Sequence, residues 1–185
     1  QISPFIPVFR QAYPLGIEPY FFSIFKDKNN PKTYAVLMDV FVICNCLIYI
    51  GLMVNLQWIS EKYLKNPLYY EGIEIIPFVM LGALFLGIYL NLSIWYKLSD
   101  QTRVGLYISL IGAAITIFIN FTFISTYGYW ASAFAALITY TSMMVISYFW
   151  GRVQYPIHYN IGKISIYLSL SIAISMISFY YFRDN

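Results

Sequence analysis

Long apolar stretches alternate with short polar ones along the chain, and their spacing predicts its elements. A helix needs about 20 consecutive apolar residues to cross the hydrocarbon core of a bilayer. Runs of that kind, bounded by charged or turn residues, lie near 3–25, 34–57, 73–96, 104–124, 127–150 and 163–182. The gaps hold most of the charge: KDKNNPK (26–32), SEKYLKNPLYYEG (60–72), KLSDQTR (97–103) and GRVQYPIHYNIGK (151–163). Between the fourth and fifth runs there is only a tight turn, Tyr127 and Gly128. In lipid, backbone amides are satisfied only within helices or closed barrels. A barrel would show alternating strands of about ten residues, and these runs do not alternate. The expectation is an all-α, polytopic transmembrane bundle of six spans, with no loop large enough to form a soluble domain.

Composition points the same way. Apolar residues other than glycine make up 60% of the 185 residues and charged residues 10%, against about 25% charged in ordinary globular chains. That excludes a soluble globular domain, a disordered tail, a collagen-like repeat and a disulfide scaffold. The net charge of +3 is too small and too scattered for a nucleic-acid partner. Cys44 and Cys46 lie about 200° apart on a helix, cannot bridge each other, and read as buried free thiols. His158 has no second ligand nearby, so neither a metal nor another cofactor is expected.

Charge also sets orientation, because Lys and Arg concentrate in cytoplasmic loops. Lys26, Lys28, Lys32, Lys97, Arg103, Arg152 and Lys163 fall on one side; Lys62, Lys65 and Arg183 fall on the other. Loops 26–33, 97–103 and 151–163 are therefore expected in the cytoplasm, and the first span enters from outside. Residue 1 is Gln and the first run begins almost at once. The expectation is a piece of a longer membrane protein.

Helices in lipid associate through small residues that let backbones approach. Gly105, Ser109 and Ala113, Ala131 and Ala135, Ser132 and Ala136, Ala83 and Gly87, and Ser165, Ser169 and Ala173 recur at four-residue spacing and are the expected packing faces. Tyr63, Tyr69, Tyr70, Trp95, Tyr96, Tyr127, Tyr129 and Trp130 lie near span ends, where aromatics anchor in the interface. Asn91 and Asn120 stand in glycosylation sequons but inside spans, out of reach of a glycan.

The first span carries the unusual chemistry. It holds Pro4, Pro7, Pro14 and Pro19 with two charges, Arg10 and Glu18. Each charge lies about 6 Å along the axis from the midpoint, and Arg10, Pro14 and Glu18 share one face, which Gln11 extends. A bent helix with a polar face is expected to line a cavity, and an intramembrane Arg is a functional candidate. The alternative is that both charges only neutralise neighbouring helices. Asp39, about 7 Å inside the second span, with Asn45, Asn91 and Asn120, are further candidates, each open to a purely structural role. No phosphate-cradling glycine loop, HExxH motif or Ser/His/Asp set is present, so an enzyme is not expected.

Three stretches together resemble bacterial polysaccharide-export flippases of the multidrug/oligosaccharidyl-lipid/polysaccharide exporter superfamily. AYPLGIEPYFFSIFKDKNNPKTYAVLM (12–38) is similar to that family's eighth helix and the loop after it. EGIEIIPFVMLGALFLGIYLNLSIWYKLSDQT (71–102) is similar to its tenth helix and following loop, and NFTFISTYGYWASAFAALITY (120–140) to its helix 11 to 12 hairpin. The resemblance implies two six-helix lobes working by alternating access, with residues 1–152 belonging to the second lobe and 153–185 supplying a loop and an additional C-terminal helix. The implied substrate is an undecaprenyl-diphosphate-linked oligosaccharide flipped across the bacterial inner membrane, and the implied partners are the bilayer and an N-terminal lobe of the same full-length chain. On this reading Arg10 meets the diphosphate, while Gln11, Glu18 and Asn91 shape a hydrated path. Two alternatives stay open. One is a cation-coupled multidrug exporter of the same superfamily, with Glu18 and Asp39 as carriers; the other is a membrane scaffold without a transport path.

Overall fold

The computed structural model describes residues 31–56, 58, 71–154 and 156–183. These residues form helices α1 (Pro31–Val54), α2 (Ile76–Leu92), α3 (Ile94–Leu98), α4 (Thr102–Tyr127), α5 (Tyr129–Gln154) and α6 (Ile161–Arg183), with a 3-10 turn over Glu71–Ile75 leading into α2. No strand occurs among the described residues. Five segments are long and apolar enough to cross a membrane: Tyr34–Val54, Gly72–Lys97, Thr102–Tyr127, Tyr129–Gln154 and Ile161–Tyr181. Each coincides with one of the predicted runs to within a few residues. The remaining run, 3–25, lies outside the described residues, together with Arg10, Gln11 and Glu18, so five helices long and apolar enough to span stand where six spans were expected. The chain is a multi-pass membrane protein.

Local sequence explains the ends of the helices. Pro77 stands in the first turn of α2, where its missing N–H costs no hydrogen bond. Asn160 caps α6 by accepting from the Lys163 amide at 3.2 Å, satisfying one of the helix's free donors. Between α2 and α3 the chain slackens at Ser93, whose hydroxyl donates to the Leu90 carbonyl at 2.6 Å and competes with the helical ladder. One residue, Gly128, joins α4 to α5, at φ 55° and ψ −132°. A side chain is disfavoured there by the backbone alone, since an added Cβ would meet nothing within 4 Å.

Helix α2 packs along α5, α5 along α4, and α1 along both α6 and α2. Two apolar clusters result. The larger is built from Met38, Val42, Cys46, Tyr49 and Met53 of α1 with Leu81, Leu84 and Ile88 of α2, and α5 and α6 close around it. The smaller joins Tyr89, Trp95 and Tyr96 to Val104 and Ile108 of α4 and Met143 of α5. Outside these clusters the surface is apolar, with Phe118 68%, Phe121 88% and Ile177 70% exposed. Patches of that kind are unfavourable in water and suited to lipid.

Several expected packing faces are rotated from those observed. On α4 the buried residues are Val104, Ile108 and Gly112, while Ser109 and Ala113 face outward and Gly105 is half-buried. On α6, Ser165, Ser169 and Ala173 are exposed, and the buried small residues are Ser171 and Ser175. Ala83 and Ser132 are exposed and Ala136 is half-buried, whereas Ala131 and Ala135 are buried as expected. The physical reason is that these helices are apolar nearly all round. More than one small-residue stripe fits the spacing rule, and the neighbouring helix selects among them. Trp95 and Tyr96 also depart from expectation: at 5% and 6% exposure they pack inside the bundle, while Tyr127 and Tyr129 at the far end are exposed. Of the two thiols, Cys46 is buried and Cys44 is exposed, which corrects the expectation of two buried ones.

Candidate functional site

The polar candidates within the described residues do not converge. Asp39 of α1 lies 3.9 Å from the Lys163 ammonium at the start of α6. The pair joins α1 to α6 near the end of the bundle where both helices begin. Asn45 is half-buried and turns back on its own helix, its Nδ2 donating to the Phe41 carbonyl at 2.9 Å. Asn91 is buried at 7% exposure on α2.

Asn120 bridges two helices. Its Nδ2 donates to the Thr116 carbonyl at 2.9 Å, and its Oδ1 accepts from the Ser132 hydroxyl of α5 at 2.8 Å. One turn further along, the Thr116 and Thr139 hydroxyls are 2.8 Å apart. A two-rung polar ladder therefore pins α4 to α5 on the side nearest the Gly128 turn. Interhelical hydrogen bonds of this kind average about 0.6 kcal/mol in membrane proteins. A double-mutant cycle of Asn120→Ala and Ser132→Ala, followed by unfolding in detergent, is expected to give a coupling of about that size. A value near zero would separate the two side chains.

At the opposite end of the α4–α5 hairpin the helices enclose a different arrangement. Trp95 lies over Gly151 of α5, its indole edge so close that a Cβ on Gly151 would meet Nε1 at 2.7 Å and Cδ1 at 3.0 Å. Trp95 packs edge-on against Tyr96, with ring centroids 5.5 Å apart, and the Tyr96 hydroxyl lies 3.0 Å from that of Tyr89. Tyr96 in turn occupies the space left by Gly105, where a Cβ would meet its ring at 2.7 Å. Next to Trp95 is a small cavity lined by Leu92, Trp95, Ser147, Tyr148, Gly151, Arg152, Ile157 and Tyr159. Two of these residues carry a buried polar atom, Trp95 Nε1 and Ser147 Oγ, without a hydrogen-bond partner among the described residues. Lys97, Arg103, Arg152 and Lys163 all belong to this end of the bundle.

The sequence places Trp95 in the interface, points to Arg152 only as an orienting charge, and does not mark Ser147. A signal was present: Ser147 and Gly151 form a small pair at four-residue spacing, and Tyr89 and Tyr96, two turns apart, share a helix face. No cluster of His, Cys, Asp or Glu able to hold a metal ion occurs among the described residues. Comparisons with protein-family models, with curated proteins and with solved structures found no match to this chain.

Proposed function

We propose that this chain is part of a flippase that carries an undecaprenyl-diphosphate-linked oligosaccharide across the bacterial inner membrane, with loops 26–33, 97–103 and 151–163 on the cytoplasmic side. The observation that carries the reading is the ordered likeness of 12–38, 71–102 and 120–140 to the family's eighth helix, tenth helix and helix 11 to 12 hairpin. A 26-residue helix on each side of the single-residue Gly128 turn is consistent with that hairpin. The chemistry is reasonable as well. A diphosphate cannot cross hydrocarbon unassisted, and a guanidinium in the path offsets its charge through charge-assisted hydrogen bonds. Arg10 is assigned that role, with Gln11, Glu18 and Asn91 shaping the path.

The test is polysaccharide export by the full-length protein. Arg10→Ala is expected to reduce export at least about tenfold, the equivalent of one charge-assisted contact, at unchanged protein level. Export at the normal rate would remove Arg10 from the path.

A second reading, a membrane scaffold, draws on a specific observation: the Asp39–Lys163 and Asn120–Ser132 contacts join helices to each other. Water accessibility of single cysteines along 7–22 separates the two. A periodic wet face favours the flippase, and a dry segment throughout favours the scaffold. The same Asp39–Lys163 contact weighs against a cation-coupled exporter with Asp39 as carrier, because a cationic drug or sodium would have to displace the ammonium.

A further inference from the structure

We propose that the open face of α1 around Gly51 is the docking surface for the apolar run 3–25 of the same chain, which packs there antiparallel with Phe5 at Gly51 and Ala12 at Cys44. The inference rests on the apolar length of that run and on the shape of α1, not on the transported substrate. Glycine inside a helix is disfavoured relative to alanine, and elsewhere in this bundle its missing side chain is put to use. A Cβ on Gly82, Gly87, Gly105, Gly112 or Gly151 would come within 3.4 Å of an atom of another helix. At Gly87, Gly105, Gly112 and Gly151 the space is taken by a side chain, from Phe41, Tyr96, Met143 and Trp95 in turn. Gly51 stands inside α1 with nothing within 4 Å. It is a notch of the same kind that no described residue fills.

The face around the notch is open along the helix. Val40, Cys44, Leu47, Ile48, Gly51 and Asn55 are exposed, and at 100° per residue they gather opposite Met38, Val42, Cys46, Tyr49 and Met53, which form the buried side. Helices α2 and α6 pack on α1 and leave this side free. Chain length selects the occupant. Five residues separate the run 3–25 from Pro31, and their extended reach is about 20 Å. Packed helices lie about 9 Å apart, so the run must stay beside α1 or one helix away. Pairing Phe25 with Pro31 in depth brings Phe5 level with Gly51, Phe9 with Leu47 and Ala12 with Cys44. On a helix, Phe5, Phe9, Ala12 and Gly16 fall within an arc of about 60°. That arc lies opposite Arg10, Pro14 and Glu18, so the face that fits α1 is apolar, with small residues where close approach is needed. Docking in this register leaves both charges directed away from α1.

Disulfide trapping tests the proposal, because a bridge forms only between Cα atoms about 4.4–6.8 Å apart. The 185-residue chain carrying Cys46→Ala and Ala12→Cys, reconstituted in liposomes, is oxidised with copper phenanthroline and digested with trypsin. Lys26 and Lys28 lie between the two thiols, so a bridge survives digestion as a pair of linked peptides. Linkage of position 12 to Cys44 within one chain is expected, whereas Gln11→Cys, at nearly the same depth but turned 100° away, should give little. Adding Gly51→Leu should lower the yield, because the filled notch holds the two helices apart. Should Cys46→Ala not fold, the same linkage is sought with Cys46 in place and assigned by its loss in Cys44→Ala. The result does not depend on export, so it stands or falls separately from the transport reading. The proposal is overturned if position 12 does not link, if Gln11→Cys links equally, if Gly51→Leu leaves the yield unchanged, or if Cys44 links only to Cys44 of a second copy.

Discussion

Gly82→Leu is expected to destabilise the bundle by about 3 kcal/mol, the upper end of the usual range for overpacking, whereas Gly82→Ala should be close to neutral. The contrast follows from what stands opposite Gly82. A Cβ built there would lie 3.4 Å from the Leu137 Cα and 3.5 Å from the Leu137 amide nitrogen of α5, with the Tyr140 ring also at 3.5 Å. One methyl therefore makes an ordinary van der Waals contact. The further carbons of leucine would have to enter where a neighbouring backbone runs, and backbone cannot swing aside as a side chain can. In lipid no hydrophobic drive restores the lost contact, so α2 and α5, the most closely associated pair of helices, would separate. Unfolding of the two variants in mixed micelles, followed by circular dichroism, gives the comparison. Equal stability of the Ala and Leu variants would mean that the helices do not approach as described.

Gly151→Val is expected to cost about 2 kcal/mol and to change the environment of one tryptophan. Here the obstacle is a side chain, but a rigid and enclosed one. The added Cβ would meet Trp95 Nε1 at 2.7 Å, Cδ1 at 3.0 Å and Cε2 at 3.3 Å, and the indole packs edge-on with Tyr96. The prediction carries an internal control. Trp95→Leu removes the obstacle, so the double variant should be less destabilised than the two single effects added together, as is usual for residues in contact. Strict additivity would show that Gly151 and Trp95 do not touch. Gly112 is a useful contrast, because its close neighbour is Met143 Sδ at 2.7 Å. The thioether is flexible and can move, and Gly112→Ala should be milder.

The helices themselves were legible because lipid imposes a length and excludes charge, and both are written directly in the chain. The described spans fall where the apolar runs were read, and the Tyr127–Gly128 turn is where the run breaks. The faces were not legible. In water a helix reveals its buried side by the contrast between apolar and polar positions. Here Leu106, Leu110, Ile117 and Phe121 face outward with the same chemistry as the residues that pack inward. Small residues narrow the choice, but α6 carries two serine-containing stripes, and only contact with α1 selects Ser171 and Ser175.

The polar residues show a similar division. Asn120 was recognisable as an interhelical hydrogen-bonding group because an amide inside a span needs a partner, yet its partner Ser132 could be identified only from the register of the hairpin. Trp95 was misjudged for an instructive reason. Aromatics near span ends favour the interface, but glycines at 105 and 151 leave room for Tyr96 and Trp95 beneath the surface. An aromatic pair near a span end should therefore be read together with glycines near the ends of other spans before it is assigned to the interface.

The Gly128 turn has a consequence for how the protein reaches its membrane. With a single residue between α4 and α5, neither helix can be threaded across the bilayer and released before its neighbour. The two form one folded-back unit of about 39 Å per arm. The tip of that unit, from Asn120 to Ser132, contains no charged residue. Passage through hydrocarbon therefore carries no cost of desolvating an ion. The Asn120–Ser132 bond also lets the tip's amide and hydroxyl satisfy each other on the way.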